Sequence, residues 1–429
     1  MMRSLLLFMM VILSARGMKT VGSFEGMKAA LRERQEVIVM SGHMEAMSTL
    51  FLSYNVSLSS ESRKMYALDG RGSSQLLVVT GDSDVLLEDL SLRGGFSSGG
   101  GGALSILGGA TVEIVRCTIT TSVADIGGGV YVSLSALTLR ETVFSSNSAR
   151  SGAALYASES TVTITDSTFT QNKAKRDGGG AVLLRSSHAD MKRSTFESNS
   201  ASYRGGAVRA ERETVLTAFE CLFRQNLAFA ESGTSRPAAG GALAVDSGST
   251  CGLTKSVFEH CSADQGGAVS LDGKSSLATF GCSFTKNSAQ LGGAIAIEDA
   301  GQWTDSGSTI AENRADMEGG GAYLTADSTF TSKHTQLSKN SPDESFVMST
   351  LAAPHDANYL ALGRRRLLAG DQLDDLRLQE DIMDSAKGLV TFFLVSFVAS
   401  LLVVTAVFRR RGRQWSANNT HHPEVLLLL

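Results

Sequence analysis

One short unit recurs nine times through the middle of the chain. It reads Gly-Gly-Ala-apolar, and on its third residue it aligns Ala103, Val130, Ala154, Ala181, Ala207, Ala242, Ala268, Ala294 and Ala322. Successive steps run from 24 to 28 residues, apart from one of 35 that carries an insertion over Phe229–Ala239. A second marker keeps pace: Phe144, Phe169, Phe196, Phe223, Phe258 and Phe284, with Ile119, Ile310 and Leu337 in the remaining copies. Three residues after it stands Asn, at 147, 172, 199, 226, 287, 313 and 340, replaced by Ser122 and Cys261 in two copies. A repeat this short cannot bury its own apolar face, so each copy must stack on the next.

Within a copy, apolar residues alternate with small or polar ones, as in Val162-Thr-Ile164-Thr and Ala294-Ile295-Ala-Ile297. Period two indicates strands, and about 26 residues accommodate three short strands and three turns. Equivalent positions then lie about 4.8 Å apart along one axis. Stacked Phe fills the interior, and stacked Asn bonds along the axis to groups that a buried turn leaves unpaired. The expected fold is all-β: a parallel β-helix over residues 99–345, with nine rungs and a length of about 40 Å. Composition agrees. The chain holds 44 Gly but 4 Pro, which fits neither collagen nor a disordered chain. A net charge of −4 supplies no basic field, and nucleic acid is excluded as a partner.

The flanks predict a compartment. Residues 1–17 read as a signal peptide, with Arg3, the apolar run Leu5–Leu13 and small residues before Gly17. Residues 18–98 read as an N-terminal cap and irregular first rungs. Ser23–Gln35 is a capping helix burying Phe24, Met27 and Leu31, followed by strands at Glu36–Met40, Leu50–Leu58, Leu76–Thr80 and Val85–Leu92. Residues 346–387 form a stalk, whose Arg364–Arg366 reads as a shedding site or an exposed basic linker. Gly388–Phe408 is an uncharged run long enough for a transmembrane helix, followed by Arg409, Arg410, Arg411 and Arg413 in the tail 409–429. The positive-inside rule makes this a single-pass type I membrane protein with an extracellular or lumenal ectodomain.

The paired motifs, seen outright in Gly292-Gly293-Ala294-Ile295 and Phe284-Thr-Lys-Asn287, resemble those of the chlamydial polymorphic outer membrane proteins and the wider right-handed β-helix (pectin-lyase-like) superfamily. The resemblance covers roughly residues 94–340. It implies a right-handed coil and a role in adhesion. The chlamydial proteins end in a β-barrel, whereas this chain ends in an apolar helical run.

The resemblance also directs attention to the outer face, where polysaccharide enzymes of this fold hold their catalytic groups. With the repeat Ala as the first position, the fifth reads Leu107, Leu134, Ser158, Arg185, Glu211, Asp246, Asp272, Glu298 and Ala326. Glu211, Asp246, Asp272 and Glu298 thus put four carboxylates in one file. Three readings stay open: a solvated strand edge, a Ca2+ or glycan contact at Asp246, Asp272 and Glu298, or acid/base catalysis by the four. Lyases of this fold, as the resemblance implies, set a basic residue beside Ca2+-binding acids. The third position supplies only Arg209 as a base there, and no outward aromatic stripe.

Cys117, Cys221 and Cys282 fall two residues before the second marker and read as small buried residues; Cys251–Cys261 is the one disulfide considered. No Cys or His spacing suits a metal. Asn55-Val56-Ser57 is a glycosylation sequon, and Gly273-Lys274-Ser275 is a turn rather than a phosphate loop. The expected function is adhesion or glycan/protein recognition on the sidewall, without a cofactor apart from Ca2+. The alternatives are a polysaccharide lyase or hydrolase acting from the acidic file, and a structural surface or cell-wall component.

Overall fold

A computed structural model describes residues 18–230 and 236–347. The signal segment 1–17, the stalk beyond Val347, Arg364–Arg366, Gly388–Phe408 and the tail lie outside the described residues, as does part of the insertion. Among the described residues no helix is long and apolar enough to cross a membrane.

The chain coils into a stack of parallel strands; each rung passes through three sheets, and a fourth joins many of the rungs from Phe96 onward. Sheet I follows the Gly pair (Leu104–Leu107, Val130–Ser133) and has 12 strands; sheet II (Thr111–Val115, Ala136–Arg140) has 13; sheet III carries the Phe marker (Val143–Ser145, Thr168–Thr170) and has 12. Sheet IV (Val123–Ile126, Ser148–Ser151) has 6 strands and resumes as a pair, Ser288–Leu291 with Arg314–Glu318. Three strands per rung is one too few only where sheet IV is present. The segment between Asn and the Gly pair looks like a turn because it is short and polar. Its Asn-x-Ala pattern nevertheless buries Ala149, Ala174, Ala201 and Ala228 against the rest of the coil.

Ladders run unbroken through residue 98: Leu50 pairs Leu77, which pairs Leu104, and Val56 pairs Val85, which pairs Val112. The segment Leu50–Leu58 is two strands, Leu50–Leu52 and Val56–Ser60, on different sheets. Helix α1 spans Phe24–Arg32, with Ser23 Oγ accepting from Gly26 N–H at its N-cap. It ends before Gln35 because Arg34 turns to φ 54°. Phe24, Met27, Ala30 and Leu31 are buried over the first rung.

The interior is filed by position. Phe144, Phe169, Phe196, Phe223, Phe258 and Phe284 stack with centroids 4.5–4.9 Å apart, and these rings are essentially inaccessible. Beside them runs the Asn ladder. Asn172 Nδ2 donates to Phe144 O and to Asn199 Oδ1, and that Oδ1 also accepts the Asn172 N–H at 3.0 Å. Cys261 interrupts the file but its N–H still donates to Asn287 Oδ1. At the far end Glu344 takes over, accepting from Asn340 Nδ2 at 2.6 Å.

All five cysteines are free and buried. Cys251 lies on a strand of sheet II and Cys261 in the Asn file, so the disulfide considered between them does not form.

Candidate functional site between sheets I and IV

Pairing fixes which residues share a file. Leu104 pairs Val130, and Val130 pairs Leu155, so Val130 occupies the second position of its rung and Gly129 the first. Ala322 likewise pairs Ile295. The fifth-position file therefore contains Ser133 rather than Leu134 and Thr325 rather than Ala326. In both rungs a third glycine stands where the others have Ala. A Cβ on Gly129 would lie 2.6 Å from Ala154 O, and one on Gly321 2.2 Å from Glu344 O.

The four acids do form one file. Arg185 pairs Glu211, and the ladder Ala210–Val245–Leu271–Ile297 carries Asp246, Asp272 and Glu298 in behind it. They do not stand on an open wall. Sheet IV and the Gly pairs fold over the outward face of sheet I. A Cβ on Gly100 would strike the Tyr131 ring at 2.6 Å, and one on Gly178 would meet the Arg209 side chain at 3.1 Å. The first Gly of each pair, such as Gly205 and Gly292, adopts φ near 65° to make the turn back. The outward aromatics missed by the sequence reading are Tyr131, Tyr156 and Tyr323 in the third-position file, the first two 5.7 Å apart. The Val130 misalignment placed Tyr131 on the inner face.

Inside this seam arginines interleave with the acids. Glu211, 4% exposed, takes Arg185 Nη2 at 2.5 Å and Arg209 Nη2 at 2.8 Å. Asp246, equally buried, takes Arg209 Nε at 3.0 Å and Ser247 Oγ at 3.0 Å. Arg204, just beyond the sheet IV strand Ser200–Ala201, reaches Asp272 at 2.5 Å and Asp246 at 3.7 Å. Arg204 and Tyr203 stack, as do Arg209 and the same ring. The sequence reading credited Arg209 alone with a basic role. Arg185 lies in the file itself, and Arg204 enters from the segment between Ser200–Ala201 and the Gly pair, which spacing along sheet I does not reveal.

Charge is uneven along the file. Burial works to raise Asp272, but the Arg204 guanidinium and hydrogen bonds from Arg204, Asp299 and Gly273 N–H hold it below the usual carboxylate range. Asp299 is raised by its hydrogen bond to Asp272 and by that neighbouring charge. Glu298, which accepts Gln265 Nε2 at 2.7 Å, is raised by burial and by Asp272. Paired acids thus occupy the Glu211 end and protonation-prone ones the Glu298 end. Among the described residues no group of three or more His, Cys, Asp or Glu is placed to hold a metal ion. Of the three acids considered for a Ca2+ contact, Asp246 and Asp272 are bridged by the Arg204 guanidinium.

Asn55 is exposed, and its Oδ1 accepts the Asp84 N–H at 2.9 Å. Gly273-Lys274-Ser275 sits between strands of sheets I and II.

A single stack of parallel ladders, closed at one end by a helix, defines a β-solenoid. The family model for the right-handed β-helix region matches residues 77–196 and 179–352, and the chain belongs to that family. Tailspike protein 3 of bacteriophage CBA120 is a loose structural likeness, at 12% identity and a TM-score of 0.39, covering 77% of this chain and 61% of the tailspike's length. No curated protein matches the chain in sequence.

Proposed function

We propose that the protein is a recognition rod, anchored through Gly388–Phe408, whose sidewall binds an extended glycan or protein outside the cell or in a lumen. The observation that carries this reading is the rung rise: Phe rings repeat every 4.5–4.9 Å. Outward side chains repeat at the same interval, which suits a ligand that is itself a regular polymer. The burial and pairing of Glu211 and Asp246 weigh against an exposed catalytic file. Probing a glycan array with the full-length protein tests the reading; saturable binding without bond cleavage supports it, and no retained glycan or protein ligand defeats it.

A second reading, glycan hydrolysis, is favoured by one feature. Asp272 and Glu298 sit on neighbouring rungs with pKa values displaced in opposite directions, as an acid/base pair requires. Incubation with polyuronate and common glycans separates the two. Cleavage abolished by Asp272→Asn with Glu298→Gln establishes the hydrolase.

A further inference from the structure

We propose a binding trough for a linear neutral glycan on the outer face of sheet II, across the strands Val215–Phe219, Thr250–Thr254 and Ser276–Phe280. The proposal rests on the recognition reading above and narrows it to one place and one ligand class. The three strands pair so that Phe219, Thr254 and Phe280 form one outward file, Thr217, Gly252 and Ala278 the next, and Val215, Thr250 and Ser276 the third. Side-chain size drops along the middle file: Asp190 precedes Thr217, and Thr304 follows Ala278. A Cβ built on Gly252 meets nothing within 4 Å, so this glycine is not demanded by packing and leaves the floor open.

The walls of the trough differ. On one side Phe280 is 56% exposed, and Phe219 is half-buried with Lys255 Nζ 5.9 Å from its ring. The fold does not require aromatics there. The same file carries Arg140, Thr165 and Lys192 in earlier rungs and Ser306 in a later one. On the other side the Thr250 and Ser276 hydroxyls lie 3.1 Å apart and form a polar edge.

A pyranose offers a C–H face to an aromatic ring and hydroxyls to a polar rim. An extended pyranose chain advances by roughly one strand spacing per sugar. Two rungs separate Phe219 from Phe280, about 10 Å, so alternate sugars rest on the two rings and the one between them crosses Thr254. None of the residues these strands turn outward is charged. Lys255 holds its ammonium against the Phe219 ring at one wall, and the floor offers a uronate carboxylate no partner, so neutral sugars fit better than uronates.

The test titrates full-length protein with cellohexaose, mannohexaose, xylohexaose and hexagalacturonate by calorimetry. At least one neutral hexamer is expected to bind in preference to the uronate. Phe219→Ala with Phe280→Ala should weaken it about 30-fold, the loss of two ring contacts. Gly252→Leu, whose Cβ meets nothing within 4 Å, should fill the floor and weaken it as much while leaving the thermal transition unchanged. Lys28→Glu, on the capping helix, should leave binding intact. Neutral-hexamer binding that both trough variants preserve overturns the site but keeps sidewall recognition. Preference for the uronate overturns the ligand class. Binding of none of the neutral hexamers overturns the trough, and sidewall recognition falls with it only if the array and protein partners are also silent.

Discussion

Rungs of the repeat turn the corner before the buried Asn through a residue that is not glycine. The residue before each ladder position, such as Ser146, Gln171, Ser198 and Gln225, is held at φ 54–56°, a left-handed conformation costing about 1 kcal/mol or more. The following Asn offsets that cost by bonding the backbone of the preceding rung and the side chain of the next. Asn199 donates to Phe169 O and Asn226 Oδ1 and accepts from Asn172. Asn199→Ala leaves several of these groups buried and unpaired, and we expect a loss of about 3 kcal/mol, read as a lower urea midpoint. Phe196→Ala should cost about 4 kcal/mol through the cavity it opens in the ring stack. Burial pushes the thiols of Cys221 and Cys282 up to about 11 and those of Cys117 and Cys261 to about 12. All five cysteines should therefore resist a thiol reagent at pH 8 in the native protein and react on denaturation; a thiol that reacts before unfolding contradicts the packing.

At the scale of elements, the seam between sheets I and IV is held by ions in the rungs from Glu211 to Asp272. Removing one partner strands another in a poorly hydrated site. Asp246→Ala leaves Arg209 and Arg204 short of a counter-ion and should cost about 3 kcal/mol, measurable by chemical denaturation, whereas Asp166→Ala on the exposed corner should change little. The Glu298 end has the opposite sign. Its folded pKa lies above the ordinary value of 4.5, so its contribution is complete below that value and is lost as pH rises through the folded pKa. Glu298→Gln should melt higher than the parent at pH 7 and converge with it near pH 4. A melting difference independent of pH would contradict the raised carboxyl.

At the scale of the whole molecule, a stack is only as soluble as its ends. Helix α1 covers the first rung, and the uncovered strand edges of a β-helix would otherwise pair with other chains. Met27→Asp with Leu31→Asp should lift the helix and produce oligomers by light scattering, while Lys28→Glu on its outer side should leave the protein in its parent state.

Much of this was legible in one dimension. A residue in a solenoid meets its own counterpart one period away, so spacing is sufficient to predict that Phe144 stacks on Phe169, that Asn172 bonds Asn199, and that Glu211, Asp246, Asp272 and Glu298 share a file. The same logic failed where the counterpart changed type: a third glycine at Gly129 and Gly321 displaced two rungs by one residue, and Glu344 closed the Asn ladder from outside the repeat. It had no access to contacts across sheets. Arg204 meets Asp272, and Gln265 meets Glu298, because sheet IV folds back over sheet I. That fold-back depends on how far a turn bends, not on how often it recurs. The sequence alone determined the axis and the files, since periodicity is a property of the chain. The tertiary structure decided which files are open to solvent and which charges neutralise one another, since those depend on distances between strands that no period records.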